Sequence, residues 1–210
     1  MPVQTKICGL STAPTVDAAL AGGVAWLGFI FFPKSPRHVE PEQAAALVRR
    51  APVSVGKVGV LVDPDDALIA HVLKAGLTAL QFHGNETPER LAALRRRGIE
   101  IWKAIPVRTR ADLDAAARYR GAVDRILYDA KTPPGTLPGG MGMRFDWTLL
   151  DGFTHPLPWL LSGGLDAENV ADAVRITGAR AIDASSGVES VPGVKNVDKI
   201  AAFLQATAQS

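Results

Sequence analysis

The chain has one cysteine, Cys8, in 210 residues. A lone thiol cannot close an internal disulfide, so a reducing compartment is expected. Long apolar runs are also missing. The longest, "VAWLGFIFF" at 24–32, falls far short of the roughly 20 residues that cross a bilayer. The opening "MPVQTKICGL" has no basic segment leading into a long apolar one, so no secretion signal and no membrane partner are expected. A cytoplasmic location follows as the expectation. No excess of one charge is present either: 23 Lys and Arg against 21 Asp and Glu give a net charge of +2. That offers no electrostatic case for nucleic acid. "RR" at 49–50 and "RRR" at 95–97 close Ala/Leu-rich stretches, where cations suit a helix C-terminus. The four histidines lie far apart and no Cys/His cluster exists, so no metal is expected.

Alternation is what the sequence does contain. Hydrophobic residues make up 47% and charged residues 21%, ordinary for a globular protein. No linker divides the chain, so residues 1–210 are expected to form one domain. Short apolar runs read as buried strands at 3–8, 26–31, 55–62, 78–83, 99–105, 125–129, 158–162 and 179–185. Between them, stretches of helical composition fall near 15–22, 41–50, 65–75, 88–97, 110–119, 145–151, 167–177 and 195–207. Gly22, Gly76, Gly98 and Gly178 read as helix stops. Thr87–Pro88, Pro41 and Asp166 read as helix starts. Strict strand–helix alternation implies parallel strands with right-handed crossovers. Eight such units predict a single (β/α)8 TIM barrel of the phosphate-binding type. The rival, an open doubly wound sheet, would carry a G-x-G-x-x-G fingerprint after its first strand; none is present.

In such a barrel, function collects where the strands end and lead into helices. Cys8 ends the first run, and it reads either as a small buried hydrophobe or as a reactive thiol. Lys6 shares its pleat face and could support a thiolate. "FFPKSPRHV" at 31–39 brings Lys34 and Arg37; a planar guanidinium suits a carboxylate or phosphate, although exposed arginines are usually just solvated. Asp129 opens the long Gly/Pro-rich loop "YDAKTPPGTLPGGMG". It reads as an acid in a partly dry barrel mouth, or merely as a turn cap. "LSGGLDAENV" places Gly163 and Gly164, and "DASSGVES" places Ser185, Ser186 and Gly187, at the last two strand ends. Backbone N–H groups exposed by small residues at a helix start can cradle a phosphate. Tight turns would explain the glycines, but not the paired serines.

"KICGL", "GFIFFPKSPRHV", "LQFHGNE", "LYDAKTPPGTLPGGMGMRFDW", "LSGGLDAENV" and "DASSGVESVPGVKN" occur in this order. Together they make the chain resemble the phosphoribosylanthranilate isomerase family of tryptophan biosynthesis, from about residue 4 to the final helix. The resemblance implies an Amadori rearrangement of N-(5-phosphoribosyl)anthranilate to 1-(2-carboxyphenylamino)-1-deoxyribulose 5-phosphate, without a cofactor. It implies that Asp129 is the general acid and Cys8, as thiolate, the general base. Arg37 would hold the anthranilate carboxylate, His83 and Asp183 would lie near the sugar, and Gly163, Gly164, Ser185, Ser186 and Gly187 would hold the phosphate. The only partner implied is this small phosphorylated substrate, to a monomer or a homodimer. Ala130, Met141, the "LPGG" extension with Leu137 and Pro138, and "VKN" near 195–196 depart from the family's usual pattern; they bear on the geometry and closure of the loop after strand six.

Other readings stand beside this one. A histidine-pathway isomerase would use paired aspartates in related halves, and a ribulose-phosphate epimerase would need metal-ligating histidines and acids. An indole-glycerol phosphate synthase would require an N-terminal extension. A catalytically silent barrel could bind a phosphorylated ligand as a sensor or scaffold, but it would need no proton-transfer pair.

Overall fold

A computed structural model describes residues 2–95, 98–133, 135–136 and 139–210. Arg96, Arg97, Leu137 and Pro138, part of the basic run and of the loop extension singled out above, lie outside the described residues. Eight parallel strands close into a barrel in chain order: β1 (Gln4–Cys8), β2 (Trp26–Ile30), β3 (Gly56–Leu61), β4 (Ala79–Phe82), β5 (Glu100–Val107), β6 (Arg125–Ala130), β7 (Trp159–Leu161) and β8 (Ala181–Ala184). β1 pairs with β8 from Gln4↔Ala181 to Ile7↔Ala184, which closes the ring. Each strand lies within a run expected from the sequence or overruns its end by one or two residues.

A barrel strand is covered on both faces, which is why these runs are apolar throughout. Outward residues such as Ile7, Leu27, Phe29, Leu80 and Ile182 pack under the helices in the main core cluster. The inward residues at the start of the strands form a second cluster that includes Trp26, Val58, Ala79, Trp102, Leu127 and Leu160. The Trp26 and Trp102 rings meet edge to face at 5.5 Å, and the Arg125 guanidinium lies over both, 5.3 and 5.7 Å from their centres. This plug closes the lower end of the barrel, so a ligand can enter only from the end where the strands finish.

The surrounding helices are α1 (Ala13–Ala21), α2 (Pro41–Val48), α3 (Asp66–Leu73), α4 (Pro88–Arg95), α5 (Arg110–Leu113), α6 (Val170–Thr177) and α7 (Val197–Ala208). Pro41 and Pro88 open their helices as expected, and the Thr87 hydroxyl accepts from the Arg90 N–H at 3.3 Å. Four expectations need correction. Gly22 does cap the end of α1 as expected, but not through the left-handed turn that makes glycine a usual stop: its φ is −82°, and it is Gly23 that turns at φ +78°. Gly22 is required for close approach instead, since a Cβ there would lie 2.4 Å from Leu204. Asp166 opens a turn, its carboxylate accepting from the N–H groups of Glu168 and Asn169, and α6 begins only at Val170. The stretch 110–119 is α-helical for one turn and then 3-10 over Asp114–Tyr119. Among the described residues between β6 and β7 there is only a 3-10 turn, Trp147–Leu150, capped by Asp146, whose carboxylate accepts from the Thr148 N–H. Thr148 and Trp147 are weak helix formers, and Gly152 turns left-handed just beyond. After β8 the chain makes a two-stranded hairpin, β9 (Glu189–Val191) with β10 (Val194–Lys195), before α7. Among the described residues no helix is long and apolar enough to cross a membrane, and no group of three or more His, Cys, Asp and Glu could hold a metal ion.

Candidate active site

Strand alternation turns every second side chain into the barrel. On β1 these are Lys6 and Cys8, on β4 and its end Gln81 and His83, on β6 Asp129, and on β8 and its end Asp183 and Ser185. Cys8, Arg37, Gln81, His83, Asp129 and Asp183 all line one cavity at the mouth. The thiol and the carboxyl, 121 positions apart in the chain, therefore face the same space.

Cys8 is 5% exposed. Its approach to β2 depends on Gly28, where a Cβ would stand 3.0 Å from Sγ. Lys6 is fully buried, and its Nζ lies 2.9 Å from Asp183 Oδ1. Ser162 donates to the other oxygen of Asp183 at 3.3 Å. Lys6 does support a thiolate at Cys8, as expected, but burial outweighs it. Burial pushes the Cys8 thiol up from its ordinary value; Lys6 pulls it down, but Asp183 pushes it up again. With its charge paired to Asp183, the Lys6 ammonium is held above its ordinary pKa despite burial, and it leaves the resting thiol protonated.

Asp129 is 5% exposed, so it is not simply a turn cap in solvent. Oδ1 accepts from the Ala130 N–H at 2.9 Å, and Oδ2 lies 3.2 Å from His83 Nε2. The loop after β6 folds back over this pair. At Gly139 (φ +76°) a Cβ would fall 2.6 Å from Asp129 Oδ2 and 3.0 Å from the His83 ring. Only glycine serves where the backbone both turns left-handed and presses on the acid.

Arg37 is 4% exposed, and the picture of a freely solvated arginine fails. Its Nε and Nη2 donate to Glu189 Oε1 and Oε2, both at 2.7 Å, and Nη2 also donates to the Gly140 carbonyl at 3.0 Å. Glu189 is shared with Lys195, whose ammonium also donates to the carbonyl and hydroxyl of Ser185. Burial pushes the Glu189 carboxyl up, yet the bonds and charges of Arg37 and Lys195 hold it below the usual range. Lys34 does not line this cavity.

Gly163, Gly164, Ser185 and Ser186 line a second cavity, continuous with the first through Asp129, Gly139, Gly140, Ser162, Asp183 and Ser185. Asn169 holds the β7 loop in shape, donating to the Gly164 carbonyl and accepting from the Asp166 N–H. Gly187 does not line this cavity. It sits where β8's loop touches β7's: a Cβ would come within 1.9 Å of the Leu165 carbonyl oxygen. The missing side chain lets the two loops meet.

The family model described as N-(5'-phosphoribosyl)anthranilate (PRA) isomerase matches residues 5–206. The chain belongs to this family. A relative from Zymomonas mobilis subsp. pomaceae, named N-(5'-phosphoribosyl)anthranilate isomerase, is 58% identical over 208 residues, covering 98% of each chain. The crystal structure of phosphoribosyl anthranilate isomerase from Thermotoga maritima superposes with a TM-score of 0.89 at 34% identity, covering 99% of this chain and 100% of that one. A further solved isomerase, in complex with reduced 1-(o-carboxyphenylamino)-1-deoxyribulose 5-phosphate, has a TM-score of 0.84 at 32% identity, again covering 99% and 100%. The barrel, the isomerase activity and the place in tryptophan biosynthesis expected from the sequence are those of this PRA isomerase family.

Sequence reasoning missed Glu189, Lys195, Ser162 and Gln81 in this PRA isomerase site. Glu189 and Lys195 sit in the quoted "DASSGVESVPGVKN", but nothing local marks Glu189 as the partner of an arginine 152 residues away, or Lys195 as the second cation on that carboxylate. Ser162 and Gln81 could have been found by counting: each lies two residues from a strand-end position already chosen or at such an end itself, on the inward face.

Proposed function

We propose that Cys8 and Asp129 are the proton-transfer pair of the isomerisation. The observation that carries the reading is their shared cavity, with a small-residue cradle on one side and a held guanidinium on the other. Asp129 donates a proton to the ring oxygen, the C1′–O bond breaks, and the nitrogen lone pair forms the C1′=N bond of a Schiff base. Cys8, as thiolate, takes the proton from C2′, and its electron pair forms the C1′=C2′ bond of an enolamine. Loss of the enol proton and protonation of C1′ complete the ketone. C2′ is oxidised and C1′ reduced within one molecule, so atoms and electrons balance without a co-reactant.

The buried thiol must lose its proton for this step. A cationic Schiff base beside Sγ favours the thiolate, as do the ammonium groups of Lys6 and Lys195. His83, against Asp129, and Asp183, against Lys6, orient the two reacting groups and border the sugar. Arg37 takes the anthranilate carboxylate through Nη1, for which no hydrogen bond is found among the described residues; Glu189 fixes the plane in which that edge points. Gly163, Gly164, Ser185 and Ser186 take the phosphate. Binding at the two ends of the substrate thereby serves to place C2′ and the ring oxygen between base and acid.

The test is Cys8→Ala and Asp129→Asn, followed by substrate fluorescence. Each should lower turnover by ~10²–10⁴-fold while affinity for the reduced product analogue stays near that of the unmodified protein. Near-normal turnover in either variant removes that residue from the pathway of the proton.

A further inference from the structure

Gln81 is 1% exposed, on β4, two residues before His83 and turned the same way into the barrel. It lines the same cavity as Cys8 and Asp129, and its Oε1 is buried without a hydrogen-bond partner among the described residues. The other inward polar groups there have one. Lys6, Asp183 and Ser162 satisfy one another, and Asp129 accepts from the Ala130 N–H with His83 beside it. Packing does not call for an amide at this position: the register neighbour on β3 is Val60, and the inward residue below is Ala79. An unmade bond on a buried acceptor is costly, so such a group in a ligand cavity marks a contact that the ligand completes.

We infer that Gln81 hydrogen-bonds the C3′ hydroxyl of the substrate sugar. The chemistry selects a hydroxyl over the phosphate and the carboxylate. Phosphate and carboxylate are acceptors at neutral pH and cannot satisfy Oε1, whereas a hydroxyl can donate to it. A hydroxyl also accepts, so it suits the amide with either end turned toward the ligand. Position selects the carbon. C3′ lies between C2′, which Cys8 deprotonates, and C4′, which bears the ring oxygen that Asp129 protonates. Gln81 shares one cavity with both of those residues. Held there, the middle of the opened chain cannot rotate C2′ away from the thiol. Gln81 is thus a substrate-binding residue that selects for a hydroxylated sugar. The inference rests on the proton-transfer pair for its geometry and on the unsatisfied Oε1 for its chemistry.

The test is calorimetric binding of two probes: the reduced 1-(o-carboxyphenylamino)-1-deoxyribulose 5-phosphate, and the same compound lacking its C3 hydroxyl. The unmodified protein should bind the deoxy probe about two- to tenfold more weakly. In Gln81→Met, which keeps length and loses both polar atoms, the two probes should bind alike. Because the substitution removes an unpartnered buried group, this variant should melt no lower than the unmodified protein. Equal binding of the two probes to the unmodified protein overturns the inference without any variant. An undiminished preference in Gln81→Met overturns it too, and assigns the hydroxyl to another residue. Neither probe result depends on turnover, so failure of Cys8 or Asp129 in their own tests is read separately.

Discussion

Replacing Arg37 by methionine keeps most of the stem and removes the guanidinium, and the consequence for stability can be worked from its surroundings. Arg37 and Glu189 are 4% and 5% exposed and joined by two bonds of 2.7 Å. Breaking a buried ion pair from one side costs about 3–5 kcal/mol when the remaining charge has no other partner. Glu189 keeps Lys195 and the Gly193 N–H at 3.2 Å, which brings the expected loss down to about 2–3 kcal/mol. For a chain of this length that is a fall in Tm of about 4–12 °C. The loss should depend on pH in a definite sense. A carboxyl held below its ordinary value of 4.5 contributes stability that is present above that value and lost as pH falls through the lower folded one. The gap between Arg37→Met and the unmodified protein should therefore be constant above pH 4.5 and narrow below it. Urea denaturation over this range, with KM measured alongside at neutral pH, is the assay. A loss under about 0.5 kcal/mol, the size of an ordinary surface change, would refute the buried network. A stability loss with unchanged KM would leave the network standing and refute the carboxylate contact.

The thiol offers a second check, since one cysteine in the chain makes its ultraviolet thiolate band assignable by difference from Cys8→Ser. The midpoint in the unliganded protein should lie above 9.0, because burial outweighs Lys6; a midpoint below that value contradicts the electrostatics derived for the resting site. Gly187→Ala places a Cβ 1.9 Å from the Leu165 carbonyl oxygen and must push the last two loops apart. It should weaken inhibition by inorganic phosphate several-fold and leave the Cys8 titration unmoved, and unchanged phosphate inhibition would separate Gly187 from the cradle.

The strands were legible because each is sandwiched between plug and helices, so its residues are apolar on both faces and stand out as runs. Cys8, Asp129 and the Gly163–Gly164 and Ser185–Ser186 pairs were legible for a related reason: a barrel converts the end of a run into a place in space. Where the reading fell short, the cause was a contact that sequence distance hides. The Arg37–Glu189 pair spans 152 residues, and the Cys8 thiol is raised by burial in the folded barrel, with Asp183 adding to the rise as it arrives from the opposite end of the chain to claim Lys6. The turn at Trp147–Leu150 had helical composition but too few residues, between Asp146 and Gly152, to sustain a helix. The β9–β10 hairpin was concealed because strands of three and two residues carry no usable alternation.

The tryptophan plug at the lower end of the barrel has an experimental consequence. None of Trp26, Trp102, Trp147 and Trp159 borders the cavity that Cys8 and Asp129 share, and the first two are held ring to ring beneath Arg125. Indole emission should accordingly follow the assembly of the barrel floor, while the aminobenzoate chromophore of the substrate glows or dims at the rim. Two colours of light, read from one cuvette, separate the folding of this protein from its occupancy.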